Sequence, residues 1–149
     1  MATNNAIDNK APSGITFGTS GGTPAVLNYY EEYTSSSVTF SGIWAAAQTA
    51  TVLISQIGKI ITLRLTGVLA TQNNTAAKIA ATNLVPTRFC TGDSMYFPIS
   101  ITNNGTGQIG VFQIGSTGNI LIETAALGNF SSGSMTGGWN EFGCNWRLA

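Results

Sequence analysis

Several short runs in this chain alternate apolar and polar residues with a period of two, and that pattern leaves little choice of fold. In KIITLRLTG, Ile61, Leu63 and Leu65 fall on one side, with Ile60, Thr62, Arg64 and Thr66 on the other. DSMYFPISIT sets Met95, Phe97, Ile99 and Ile101 against Tyr96, Pro98, Ser100 and Thr102. Val38 and Phe40 alternate with Thr39 and Ser41. Val52 and Ile54 alternate with Thr51, Leu53 and Ser55, although Leu53 blurs the polar side. Side chains of an extended strand point alternately to opposite faces, so each run can bury one face. Pro98 has no N–H to give to a ladder, which predicts an edge or a bulge there. Turn signals punctuate the runs: Ile57-Gly58, Asn103-Asn104-Gly105, Gly115-Ser-Thr-Gly118 and a long GNFSSGSMTGGWN. Many short strands with frequent turns predict an all-β domain, an antiparallel β-sandwich or jelly-roll-like architecture.

Residues 1–25 are small and polar, and predict an N-terminal arm or shaft linker; residues 26–149 are expected to form the sandwich. VLNYYEEY fits a first edge strand or a segment lying against a neighbouring subunit, and FGCNWRLA fits a closing strand. Only ATQNNTAAKIAAT has helix-friendly alanines, behind a poor helix start.

Composition narrows the function more than the fold. Only 8% of the 149 residues are charged, about a third of the usual ~25%, and six positive residues balance six negative ones. No nucleic acid or membrane partner is therefore expected. A surface of Thr, Ser, Asn, Gln and Gly suits close self-association and contact with glycans. The chain has no histidine, which removes the commonest general base and metal ligand. Cys90 and Cys144 are too few for a zinc site without histidine; they form either one disulfide or two buried free thiols. No pair of acidic residues has an informative spacing except Glu31-Glu32, which as neighbours on a strand would face opposite ways, so no catalysis, cofactor or metal is expected. The N-terminus shows no signal-peptide pattern, and the greasiest region is broken by Gln48, Gln56 and Lys59 before it reaches the ~18 apolar residues of a span.

GTGQIG matches the G-x-G-x-x-G dinucleotide fingerprint at Gly105, Gly107 and Gly110, with Glu123 near the place of its acid. That fingerprint works only as strand, tight turn and helix. Here VFQI follows, and then another turn, too little for a helix. NNGTG and GSTG instead predict two hairpin turns joining three antiparallel strands.

This meander also carries a resemblance. Pro86-Thr87-Arg88-Phe89, then FPISITNN from Phe97 to Asn104, a Gly-rich hairpin and Gly118-Asn119-Ile120-Leu121-Ile122 resemble a recurring C-terminal pattern of viral fibre heads. Such heads occur in phage tail-fibre and receptor-binding proteins and at the tips of collagen-like fibre proteins of giant DNA viruses and virophages. The similarity covers roughly residues 37–148. It implies a β-sandwich head, often homotrimeric, on the virion surface, capping a fibre and contacting a host-surface glycan or protein. It supplies no catalytic residue. A β-sandwich carbohydrate-binding module and a ligand-free capsid decoration are the alternatives. The head implies apolar residues on the outer face of at least one sheet.

Candidate receptor contacts are Asn103, Asn104, Thr106 and Trp139. The first three could hydrogen-bond a glycan, although Asn there also serves as turn chemistry. Trp139, beside the GSMTGG loop, could stack on a sugar, whereas Trp44 and Trp146 fit the core or a subunit interface. Arg64 and Arg88 fit ion-pair or interface anchors. Three sequons, at Asn73, Asn104 and Asn129, match the N-glycosylation pattern.

Overall fold

A computed structural model describes residues 15–17, 25–27 and 30–149. The expected polar arm lies largely outside the described residues. Two short strands, β1 (Ile15–Phe17) within it and β2 (Ala25–Leu27) running past its end, pair antiparallel.

The rest is a sandwich of two antiparallel sheets, as the alternation predicts. One sheet begins as a meander of β3 (Tyr30–Phe40), β4 (Gln48–Ile57) and β5 (Ile60–Leu65). After β5 come β6 (Val68–Thr71) and β7 (Ile79–Ala81), which edge the other sheet, and a single 3-10 turn over Thr87–Phe89. The second sheet is built on a meander of β8 (Met95–Asn103), β9 (Thr106–Ile114) and β10 (Ile120–Thr124). The chain then returns as β11 (Thr136–Trp139) beside β8 and closes as β12 (Phe142–Arg147) beside β5. The orders are β6-β11-β8-β9-β10-β7 and β12-β5-β4-β3. Spatial order β11-β8-β9-β10 is that of a Greek key, in which a fourth strand returns to lie beside the first.

The buried faces are those set by the alternation. Ile61, Leu63 and Leu65 of β5, Val52 and Ile54 of β4, and Ile99 and Ile101 of β8 enter one core with Phe112, Ile114, Ile120 and Ile122. Burying a side chain of this size stabilises the fold by about 1.5–3 kcal/mol. In β3 the parity changes. Ser35 pairs with Val52 but Val38 pairs with Ala50, so a bulge inserts one residue and switches the inward set to Val38 and Phe40. Pro98 falls in an interior strand. It avoids the ladder problem because β11 pairs with β8 only at Ile101 and Thr102, and the last bond on that flank, from the Asn140 N–H to the Ser100 carbonyl (3.2 Å), stops short of it.

The hairpin between β8 and β9 turns on two residues, Asn104 (φ 47°) and Gly105 (φ 80°). Positive φ at both central positions is the type I′ geometry that matches strand twist. The dinucleotide-like glycines are thus one turn residue and two residues of strand β9. At Gly118 (φ 84°) a Cβ would stand 1.8 Å from the Val85 carbonyl oxygen, so only glycine fits between the β9–β10 turn and the segment entering the 3-10 turn.

Candidate functional site

Trp139 is not available to a sugar. Its ring is fully buried, 4.7 Å from Phe40 and 6.0 Å from Trp44 between centroids, and its Nε1 donates to the Thr66 carbonyl at 2.9 Å. The other two tryptophans follow the same pattern. Trp44 Nε1 donates to the Gly137 carbonyl at 3.1 Å, and Trp146 Nε1 to the Phe89 carbonyl at 2.7 Å. Each indole buries its apolar body and places its one donor on a backbone acceptor.

Asn103 and Asn104 spend their side-chain oxygens inside the protein. Asn103 Oδ1 accepts from the Ser131 N–H (3.0 Å) and from the Ser131 hydroxyl (2.9 Å); Asn104 Oδ1 accepts from the Met135 N–H (3.3 Å). These bonds tie the β10–β11 crossover, in which Phe130 is buried, to the β8–β9 hairpin. Thr106 lies exposed at the start of β9. The structure brings the three together at one hairpin and places Trp139 in the core.

Cys90 and Cys144 are free thiols, not a disulfide, both partly buried against the core. Burial pushes the Cys144 thiol up to about 12 and raises that of Cys90. Arg64 pairs with Glu141 (2.7 Å), and Arg88 pairs with Glu31 and lies 4.5 Å above the Phe89 ring. Both arginines are ion-pair anchors.

The outer faces of both sheets expose large apolar side chains, Tyr96 and Ile109 on one and Tyr30, Leu53, Ile57 and Ile60 on the other. On the six-stranded sheet, register sets Tyr96 opposite Gln113, Gln113 opposite Leu121, Pro98 opposite Val111 and Ser100 opposite Ile109. Tyr96, Pro98, Val111 and Ile109 are neighbours along and across β8 and β9, with Leu121 beyond Gln113; Ile109 is 62% exposed, while Val111 and Leu121 are half-buried. The carboxylate on this side, Glu123, is buried (1% exposed) and paired with Lys78 at 3.0 Å.

On the four-stranded sheet, two adjacent rows run across the outer face. One is Thr34, Leu53, Arg64 and Gly143; the next is Glu32, Ser55, Thr62 and Asn145. Short side chains in these rows leave a depression of about 210 Å³ lined by Glu32, Thr34, Leu53, Ser55, Thr62 and Arg64. A third row, Tyr30, Ile57, Ile60 and Arg147, borders it. Tyr30 donates its hydroxyl hydrogen to Glu32, which holds the ring at the edge of the depression and raises the phenol above its ordinary value of 10.0. Sequence reasoning missed this site. Its signal was the polar side of the alternation, where Thr62 and Arg64 share a face and Tyr30 and Glu32 sit two apart.

No family model matches the chain, and no curated protein does. Among solved structures the chain is similar to the reovirus attachment protein sigma1, solved in complex with alpha-2,3-sialyllactose: TM-score 0.47 and 11% identity, over 85% of this chain and 71% of that one. At that distance neither a ligand nor a residue role carries across.

Proposed function

We propose that this domain is the head of a viral fibre: a homotrimer on the virion surface that attaches to a host surface. The observation that carries this is the apolar outer face of the six-stranded sheet around Tyr96, Pro98, Ile109, Val111 and Leu121. Contiguous apolar surface on a soluble domain marks a contact site. The occupant is a second copy because this face meets itself without repulsion: the Glu123 carboxylate on this side is already buried and neutralised by Lys78. A three-fold assembly matches the symmetry of a fibre shaft. The Pro86–Phe89 turn and the meander after it, which carry the resemblance to fibre heads, form the 3-10 turn and β8 to β10 of this same sheet.

Ile109→Glu tests this by sedimentation. Ile109 is exposed within the chain, so the variant keeps its circular dichroism and thermal transition at low concentration. The expected result is a trimer for the natural chain and a folded monomer for the variant. Identical mass for both excludes this face as the interface, and a monomeric natural chain overturns the trimeric head. The depression on the opposite sheet favours a second reading, a β-sandwich carbohydrate-binding module, which a folded, sugar-binding monomer would select.

A further inference from the structure

The depression on the outer face of the four-stranded sheet has a composition that selects a ligand class. Leu53, 42% exposed, gives it an apolar side chain, which suits the C–H face of a sugar ring. Thr34, Ser55 and Thr62 line it with hydroxyls, which donate and accept alike and so match the hydroxyls of a saccharide. Tyr30, 60% exposed, stands at its edge with its hydroxyl fixed on Glu32. A ring presented to solvent and held in place loses little freedom when a ligand stacks on it. At about 210 Å³ the space is below the roughly 300–1,000 Å³ of a drug-sized pocket, a size for one sugar ring rather than a larger ligand.

Charge decides which sugars enter. Arg64 is the one cation among the lining residues, and its guanidinium already holds Glu141 at 2.7 Å. Glu32 lies at the other side. An acidic sugar would meet two carboxylates for one engaged arginine, whereas a neutral sugar can accept from Arg64 and donate to Glu32.

We infer that this depression, bordered by Tyr30 and lined by Glu32, Thr34, Leu53, Ser55, Thr62 and Arg64, binds a neutral saccharide. The inference rests on the host-attachment function proposed above and supplies its ligand class, at the sheet face turned away from the self-association face.

The test titrates the full chain, labelled for amide NMR, with glucose, galactose, mannose and N-acetylglucosamine, and with glucuronate and galacturonate as acidic counterparts. Binding of at least one neutral sugar is expected, with Kd on the order of 1 mM. The largest amide shifts are expected at Thr34, Ser55 and Thr62, and the acidic counterparts should bind about tenfold more weakly. Tyr30→Ala, at an exposed position, and Ser55→Arg, which fills the depression, should each weaken binding at least tenfold while the remaining spectrum stays dispersed. No binding by any neutral sugar, tighter binding of the acids, shifts centred elsewhere, or undiminished binding by both variants would each overturn the assignment. Light scattering on the same samples separates the two claims. A trimer that binds no sugar removes the groove and leaves the head, and a monomer that binds sugar does the reverse.

Discussion

Trp139 shows how one side chain can serve the fold while looking like a ligand contact. It follows a Gly-rich loop, yet Gly137 and Gly138 before it belong to strand β11 and are buried with it. Trp139→Ala removes the contacts with Phe40 and Trp44 and leaves the Thr66 carbonyl without its indole donor. Chemical denaturation should show a loss of about 3–5 kcal/mol, the usual range for an aromatic deleted from a core. Cys144 gives a second residue-scale expectation. Below its ordinary value of 9.0 the thiol is neutral in folded and unfolded chains, so it adds no pH dependence. Between 9.0 and about 12 the unfolded chain releases the proton and the folded chain keeps it, so stability falls as pH rises through that window. Since the thiolate is the nucleophile, iodoacetamide at pH 8 should label Cys144 about tenfold or more slowly in the native protein than in urea. Equal rates would contradict its burial.

At the scale of elements, the β8–β9 hairpin does two jobs. Its Asn-Gly turn sets the register of β8 against β9, and the Asn side chains fasten the β10–β11 crossover that makes the Greek key. Asn103→Ala removes two hydrogen bonds to Ser131, each of which contributes about 1 kcal/mol. The expected outcome is a melting temperature lowered by a few degrees, with sugar binding unchanged; lost sugar binding at full stability would restore Asn103 as a contact. Strands β4, β5 and β8 were legible because each carries an apolar alternation, blurred only at Leu53 of β4, and short turns join β4 to β5 and β8 to β9. Strand β3 was harder, since its bulge between Ser35 and Val38 reverses the inward parity halfway along. Strand β11 was illegible. Thr-Gly-Gly-Trp has no period, and its partners β6 and β8 are fixed by packing between segments far apart in sequence. The candidate site suffered for the same reason. Alternation names the outward residues of each strand, but the row that joins Tyr30 to Ile57 and Ile60 exists only once three strands are in register.

Over the whole molecule, the few charges are unevenly placed. Glu32, Arg64 and Arg147 project from the four-stranded sheet, with Glu141 paired to Arg64 and with Tyr30, Leu53, Ile57 and Ile60 exposed on the same face, while the six-stranded sheet exposes Tyr96 and Ile109 and holds one internally neutralised pair. On the proposals above, the six-stranded face takes a second copy and the four-stranded face a ligand, and the trimer is the central claim. The most direct measurement is the solution mass of the purified chain by light scattering, repeated after tenfold dilution. The account predicts three times the 15.5 kDa of one chain at both concentrations. A folded species at the mass of a single chain would contradict it.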